Sequence, residues 1–169
     1  MSKRTLLTSI LCGLIAIAVQ PMTAAATTPS LAGSWQLTLT PKTSTTPPVT
    51  DIAGLATFTT DGAVIETDGS EFVEHPVSTT PIAVVASPGH GIWQIANTPG
   101  TLFVQYFSLV FHTDGALYAK NVTTIFLTLN NTGNQFTGTY TTDQVIGSVT
   151  TVLSSGTISG QLIPHVPLP

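Results

Sequence analysis

From Ser34 onward the chain runs in short apolar stretches, with no apolar stripe at helical spacing. Eight stretches are rich in β-branched and aromatic residues: 34–40, 55–60, 63–67, 91–96, 101–112, 116–129, 135–142 and 157–162. Such residues predict strands, because branched and flat side chains fit a pleated surface. Turn signals separate them. Asp61-Gly62 and Asp114-Gly115 read as two-residue hairpin turns, Pro99-Gly100 as a tight turn, and Asn130 to Asn134 as a longer one. Strands joined in order by short turns make a meander, and eight of them close into a barrel whose interior admits side chains or one small ligand. The expected fold is all-β, an eight-stranded antiparallel up-and-down barrel, preferred over a Greek-key sandwich. Two longer connections interrupt the meander. Residues 41–51 are rich in Pro and Thr, and residues 68–90 carry Pro76, Pro81 and Pro88. The second is expected to be a lid-like loop, with 82–86 as an alternative ninth strand.

The N-terminus has a different pattern. Lys3 and Arg4 precede an apolar run from Leu6 to Val19, and Ala24, Ala25 and Ala26 follow it. Basic, apolar, small is the order of a secretory signal peptide, which predicts a leader over 1–26 and a single barrel domain over 27–169. The run of about 14 residues falls short of the roughly 20 needed to cross a bilayer. The expected location is secreted or periplasmic, with the domain not embedded in a membrane after cleavage. Beyond residue 26 the bases are Lys42 and Lys120, against eight acids. That balance excludes a nucleic-acid partner, which needs a basic stripe to displace counterions. Cys12 lies in the leader, so thiol catalysis and zinc–thiolate sites are excluded from the domain. No phosphate loop, dinucleotide fingerprint, His-Glu-x-x-His or Gly-x-Ser-x-Gly string is present, and neither a cofactor nor a metal is expected. Asp68, Glu71, Glu74 and His75 read as solvated acids and a histidine of the long loop.

The first strand begins Leu31-Ala32-Gly33-Ser34-Trp35. This Gly-x-Trp, carried by Gly33 and Trp35, resembles the signature of the lipocalins and the wider calycin superfamily. The resemblance implies a barrel closed at one end by Trp35, with a cavity for small apolar molecules. Two family features are absent: the domain has no arginine to set against the tryptophan, and Ile163 to Pro169 stand where a C-terminal helix would follow.

Both faces of the 101–112 and 116–129 hairpin are apolar, so alternation does not identify the lumen. The face with more apolar volume, carrying Phe103, Phe107, Tyr118, Lys120 and Phe126, is expected to point inward. Phe58 and Ile65 join it from the Asp61-Gly62 hairpin, leaving Glu66 outside, and Gln105, His90 and Gln94 supply further polar groups. The expected ligand-binding set is Phe58, His90, Phe103, Gln105, Phe107, Tyr118, Lys120 and Phe126, with Lys120 meeting a carboxylate or carbonyl. The outward stripe of Leu102, Val104, Tyr106 and Val110 then suggests a homodimer contact. The sequon Asn121-Val122-Thr123 also requires Asn121 to face outward if it is used. The leading expectation is a carrier of a small hydrophobic or amphipathic molecule. One alternative is a barrel isomerase or cyclase with His90 as acid or base. Another is a secreted interaction or inhibitor protein with a packed lumen.

Overall fold

The computed structural model describes residues 29–42, 51–69 and 84–164. Residues 1–28, which include the expected leader, the acidic and histidine residues Glu71, Glu74 and His75, and the final five residues lie outside that range. Nine strands are present: β1 (Gly33–Pro41), β2 (Ile52–Phe58), β3 (Ala63–Asp68), β4 (Val84–Ala86), β5 (Gly89–Ile95), β6 (Leu102–His112), β7 (Leu117–Leu129), β8 (Gln135–Ile146) and β9 (Val149–Leu162). All pairings are antiparallel. Eight strands close a barrel in the order β6-β5-β3-β2-β1-β9-β8-β7, with β7 returning to β6. Among the described residues no helix is long and apolar enough to cross a membrane.

The short β4 pairs with the far end of β6, Val85 opposite Phe111, and lies outside the eight-strand circuit. The long connection therefore contains a strand, and β5 begins at Gly89. Ser87 and Pro88 separate β4 from β5 for a local reason. Proline has no N–H to give the ladder, and Ser87 takes over the pairing at this point. Its N–H donates to the Leu109 carbonyl at 2.8 Å, and its Oγ accepts the Leu109 N–H at 3.0 Å.

The turns set which side chains enter the barrel. The Asp61-Gly62 hairpin closes with the Thr59 N–H donating to the Ala63 carbonyl, so its loop has three residues where two were expected. Phe58 consequently pairs with Val64, and the register moves by one residue. A one-residue slip reverses every side chain on a strand. Val64 and Glu66 thus enter the barrel, and Ile65 faces solvent. The Asp114-Gly115 turn is also a three-residue loop, closed by the His112 N–H on the Ala116 carbonyl. Here a bulge between Val110 and Phe111 restores the register, and from Val110 opposite Ala119 back along β6 the pairing matches the sequence expectation. The Pro99-Gly100 turn is longer than two residues but keeps the same parity, with Ile95 opposite Leu102.

The core occupies the end of the barrel where β1 starts. Trp35, 1% exposed, stands 5.1 Å from Phe136, ring centroid to centroid, and its indole N–H donates to the Leu31 carbonyl at 2.8 Å. Leu31, Phe58, Leu102, Val104, Ile125 and Leu127 complete this packing. Each such side chain contributes about 1.5–3 kcal/mol when fully withdrawn from water. Gly33 enters β1 at φ 136°, a backbone region that favours glycine. Trp35 is thus buried within the packed core just after the start of β1.

Candidate functional site

The other half of the barrel is hollow. Where β1 ends and β2 begins, a cavity of about 320 Å³ opens into the lumen. Leu39, a member of the core cluster, is at its base, while Lys42 and Leu153 are exposed residues of its lining. Polar side chains make up about half of its walls: Glu66 and Asp68 from β3, Tyr106 and Ser108 from β6, Asn121 and Thr123 from β7, Tyr140 and Thr142 from β8, and Ser154 from β9. Each pair on one strand is two residues apart, as the two-residue strand period requires for side chains sharing a face.

Glu66 is 4% exposed and Tyr106 is 6% exposed, so both are held by surrounding protein. The room for them comes from glycines on neighbouring strands. A Cβ on Gly89 would stand 2.5 Å from the Tyr106 ring and 3.1 Å from a Glu66 carboxylate oxygen, and a Cβ on Gly54 would stand 3.4 Å from the other. The string Ser87-Pro88-Gly89-His90-Gly91 therefore has a steric role: its glycines leave space for the side chains of β3 and β6.

The polar groups form a connected network. The Tyr106 hydroxyl interacts with Glu66 and Thr123, and Thr123 is hydrogen-bonded to Thr142 at 2.9 Å. Burial, then the negative charges of Glu66 and Asp68, push the Tyr106 hydroxyl well above the ordinary tyrosine range. Tyr106 is thus a neutral hydroxyl under ordinary conditions. Burial and the charge of Asp68 also raise Tyr140, against a hydrogen bond at 3.0 Å that its oxygen accepts from the Ser154 hydroxyl. The Gln144 amide donates to Asn121 Oδ1 at 3.3 Å. Asn121 lines the cavity, which corrects the outward placement that the sequon reading required.

The expected inward face is the outer face. Phe107 is 48% and Phe126 49% exposed, and His90, Gln105 and Lys120 are exposed as well. Phe103 is half-buried against Phe126 at 5.4 Å on that outer surface, and Gln105 donates to Thr124 at 3.2 Å. Tyr118 is half-buried beside His112 at 4.9 Å, packed against the small cluster of Val84, Val110 and Ala119. Phe58 is inside, as expected, but belongs to the packed core. Gln105, Phe107 and Lys120 do come together, around a shallow outer depression of about 300 Å³ with Ile92 and Val122. Leu102, Val104, Tyr106 and Val110, expected outside, are buried.

The reason for the inversion is volume. Trp35, Phe58, Phe136 and Tyr140 already fill much of a narrow barrel, and an interior packed to crystal-like density has no room for a second set of phenylalanines. A signal was present in the sequence. Gly91 pairs with Tyr106, Gly138 with Leu127 and Gly160 with Phe136, so inward glycines oppose inward bulk. Glu66, Asp68, Tyr106, Thr123 and Tyr140 were missed as lining residues because their facing depended on turn length and on this complementarity. A cavity with an apolar base and walls of carboxylates, hydroxyls and amides can orient a small molecule that is apolar on one side and hydrogen-bonding on the other. A scan against protein-family models, a search of curated proteins and a search of solved structures each returned no match for this chain.

Proposed function

We propose that this protein is an exported barrel that binds one small amphipathic molecule in the open half of its lumen. The observation that carries the proposal is the division of the interior: tight packing around Trp35 at one end, a cavity of about 320 Å³ with polar walls at the other. That volume is at the lower end of the range for small-molecule sites. A base at Leu39 and the aliphatic Ile52 and Leu153 support contact with an apolar body, while Tyr106, Thr123, Asn121 and Tyr140 support orientation of a polar head. The plan of a barrel closed by its first-strand tryptophan and hollow beyond it resembles that of calycin carriers. Export rests on the leader pattern of Lys3, Arg4 and the apolar run after them. His90 is exposed on the outer face of β5, so a lumenal acid–base role for it has no support.

Native mass spectrometry of protein purified from its own host tests the proposal. The expected result is a bound species of low mass that is lost on denaturation. A protein that is reproducibly empty, and takes up no member of a panel of small amphipathic compounds, would overturn it.

A further inference from the structure

We infer that the molecule held in the lumen carries a protonated amine, seated against Glu66, Asp68 and the Tyr106 hydroxyl. The inference rests on the binding role proposed above and adds the chemical class of the ligand. Among the described residues that line the cavity, the charged groups are Glu66, Asp68 and Lys42. The two carboxylates lie on one face of β3, and the single lysine is the exposed residue that follows β1. Both carboxylates line the cavity from β3, beside Tyr106 of β6 with only Gly89 of β5 between them, so the acidic face of β3 looks into it. An anionic head group placed there would meet two like charges where water is scarce and screening weak. An ammonium would meet two opposite charges. It would also meet hydroxyl and amide oxygens that accept its remaining protons, at Ser108, Asn121 and Tyr140.

Neither carboxylate has to be without other contacts for this to hold. The inward acids also change the expected ligand. A carboxylate or carbonyl was the expected partner of a lumenal Lys120, but Lys120 is exposed, and the carboxylate-bearing β3 face has taken its place inside.

The test compares three probes of one shape, n-octylamine, n-octanol and sodium octanoate, below their aggregation concentrations at pH 7. Binding is followed by amide chemical shifts of ¹⁵N-labelled protein. The expected result is a saturable shift at Tyr106, Thr123 and Tyr140 with octylamine, at least tenfold tighter than with octanoate and several-fold tighter than with octanol. Asp68→Asn, at a half-buried position, is expected to weaken octylamine at least threefold and leave octanol unchanged. Glu66→Gln is expected to do the same more strongly, with its fold checked by circular dichroism. Octanol or octanoate binding as tightly as octylamine would overturn the amine assignment and leave the lumenal site standing. Failure of all three probes to shift any lumenal residue would overturn both.

Discussion

Gly91 stands opposite Tyr106, and a Cβ there would lie 2.0 Å from the Gln105 carbonyl oxygen and 2.5 Å from the Tyr106 Cα. Backbone cannot move aside as a flexible side-chain tip does. Gly91→Ala is therefore expected to cost about 2–3 kcal/mol, whereas exposed Ile92→Ala stays within about 0.5 kcal/mol. Urea denaturation midpoints of the two variants check this pair. Tyr106 gives the second residue-scale prediction. Its hydroxyl titrates well above the ordinary tyrosine value of 10.0 when folded, so above that pH the unfolded chain loses a proton the folded chain keeps. Stability is thus fully present below about pH 10 and falls as pH rises beyond it. Tyr106→Phe should flatten that alkaline decline and leave the neutral plateau lower by about 1–2 kcal/mol, from the buried polar contacts of the hydroxyl that it removes. Thermal melts between pH 7 and 11 read both effects.

At the scale of elements, the strands and their order were legible, since hairpin turns and β-branched runs are local signals. Every predicted run overlaps a strand of the barrel, and the pairings Leu109 with Lys120, Phe107 with Val122 and Phe103 with Phe126 are all present. What the sequence concealed is facing. On β6 both faces are apolar, and the choice between Val104 and Phe107 depends on how much volume seven other strands bring inside. On β3 one additional residue in the Asp61-Gly62 turn sends Glu66 inward. The extension of β8 and β9 to a turn at Gly147, φ 60°, was also missed, because Gln144 and Ser154 on those arms are polar inward residues that break the alternation. Facing has a direct check. Val104→Ser, in the core, should destabilise by about 2–4 kcal/mol, while Phe107→Ser should lie within about 1 kcal/mol of the parent. Ser87→Ala should cost about 1 kcal/mol by removing the acceptor of the Leu109 N–H where β4 meets β5.

At the scale of the whole molecule, a single lumen has one packed half and one hollow half. The packed half around Trp35, Phe136 and Leu127 supplies the burial that holds a barrel without cysteine among its described residues. The hollow half gives up some of that burial, and its polar walls are kept in place by hydrogen bonds such as Thr123 to Thr142 and Tyr140 to Ser154. The central claim is that the guest occupies this hollow half and not the phenylalanine-bearing outer surface. Neighbouring residues of β6 separate the two, because Ser108 lines the cavity and Phe107 is exposed on the opposite face. The most direct measurement is native mass spectrometry of Ser108→Trp and Phe107→Trp, both purified from the host and both shown to be folded. The account predicts that filling the cavity at Ser108 expels the bound molecule while Phe107→Trp retains it. Retention by Ser108→Trp with loss from Phe107→Trp would contradict the account.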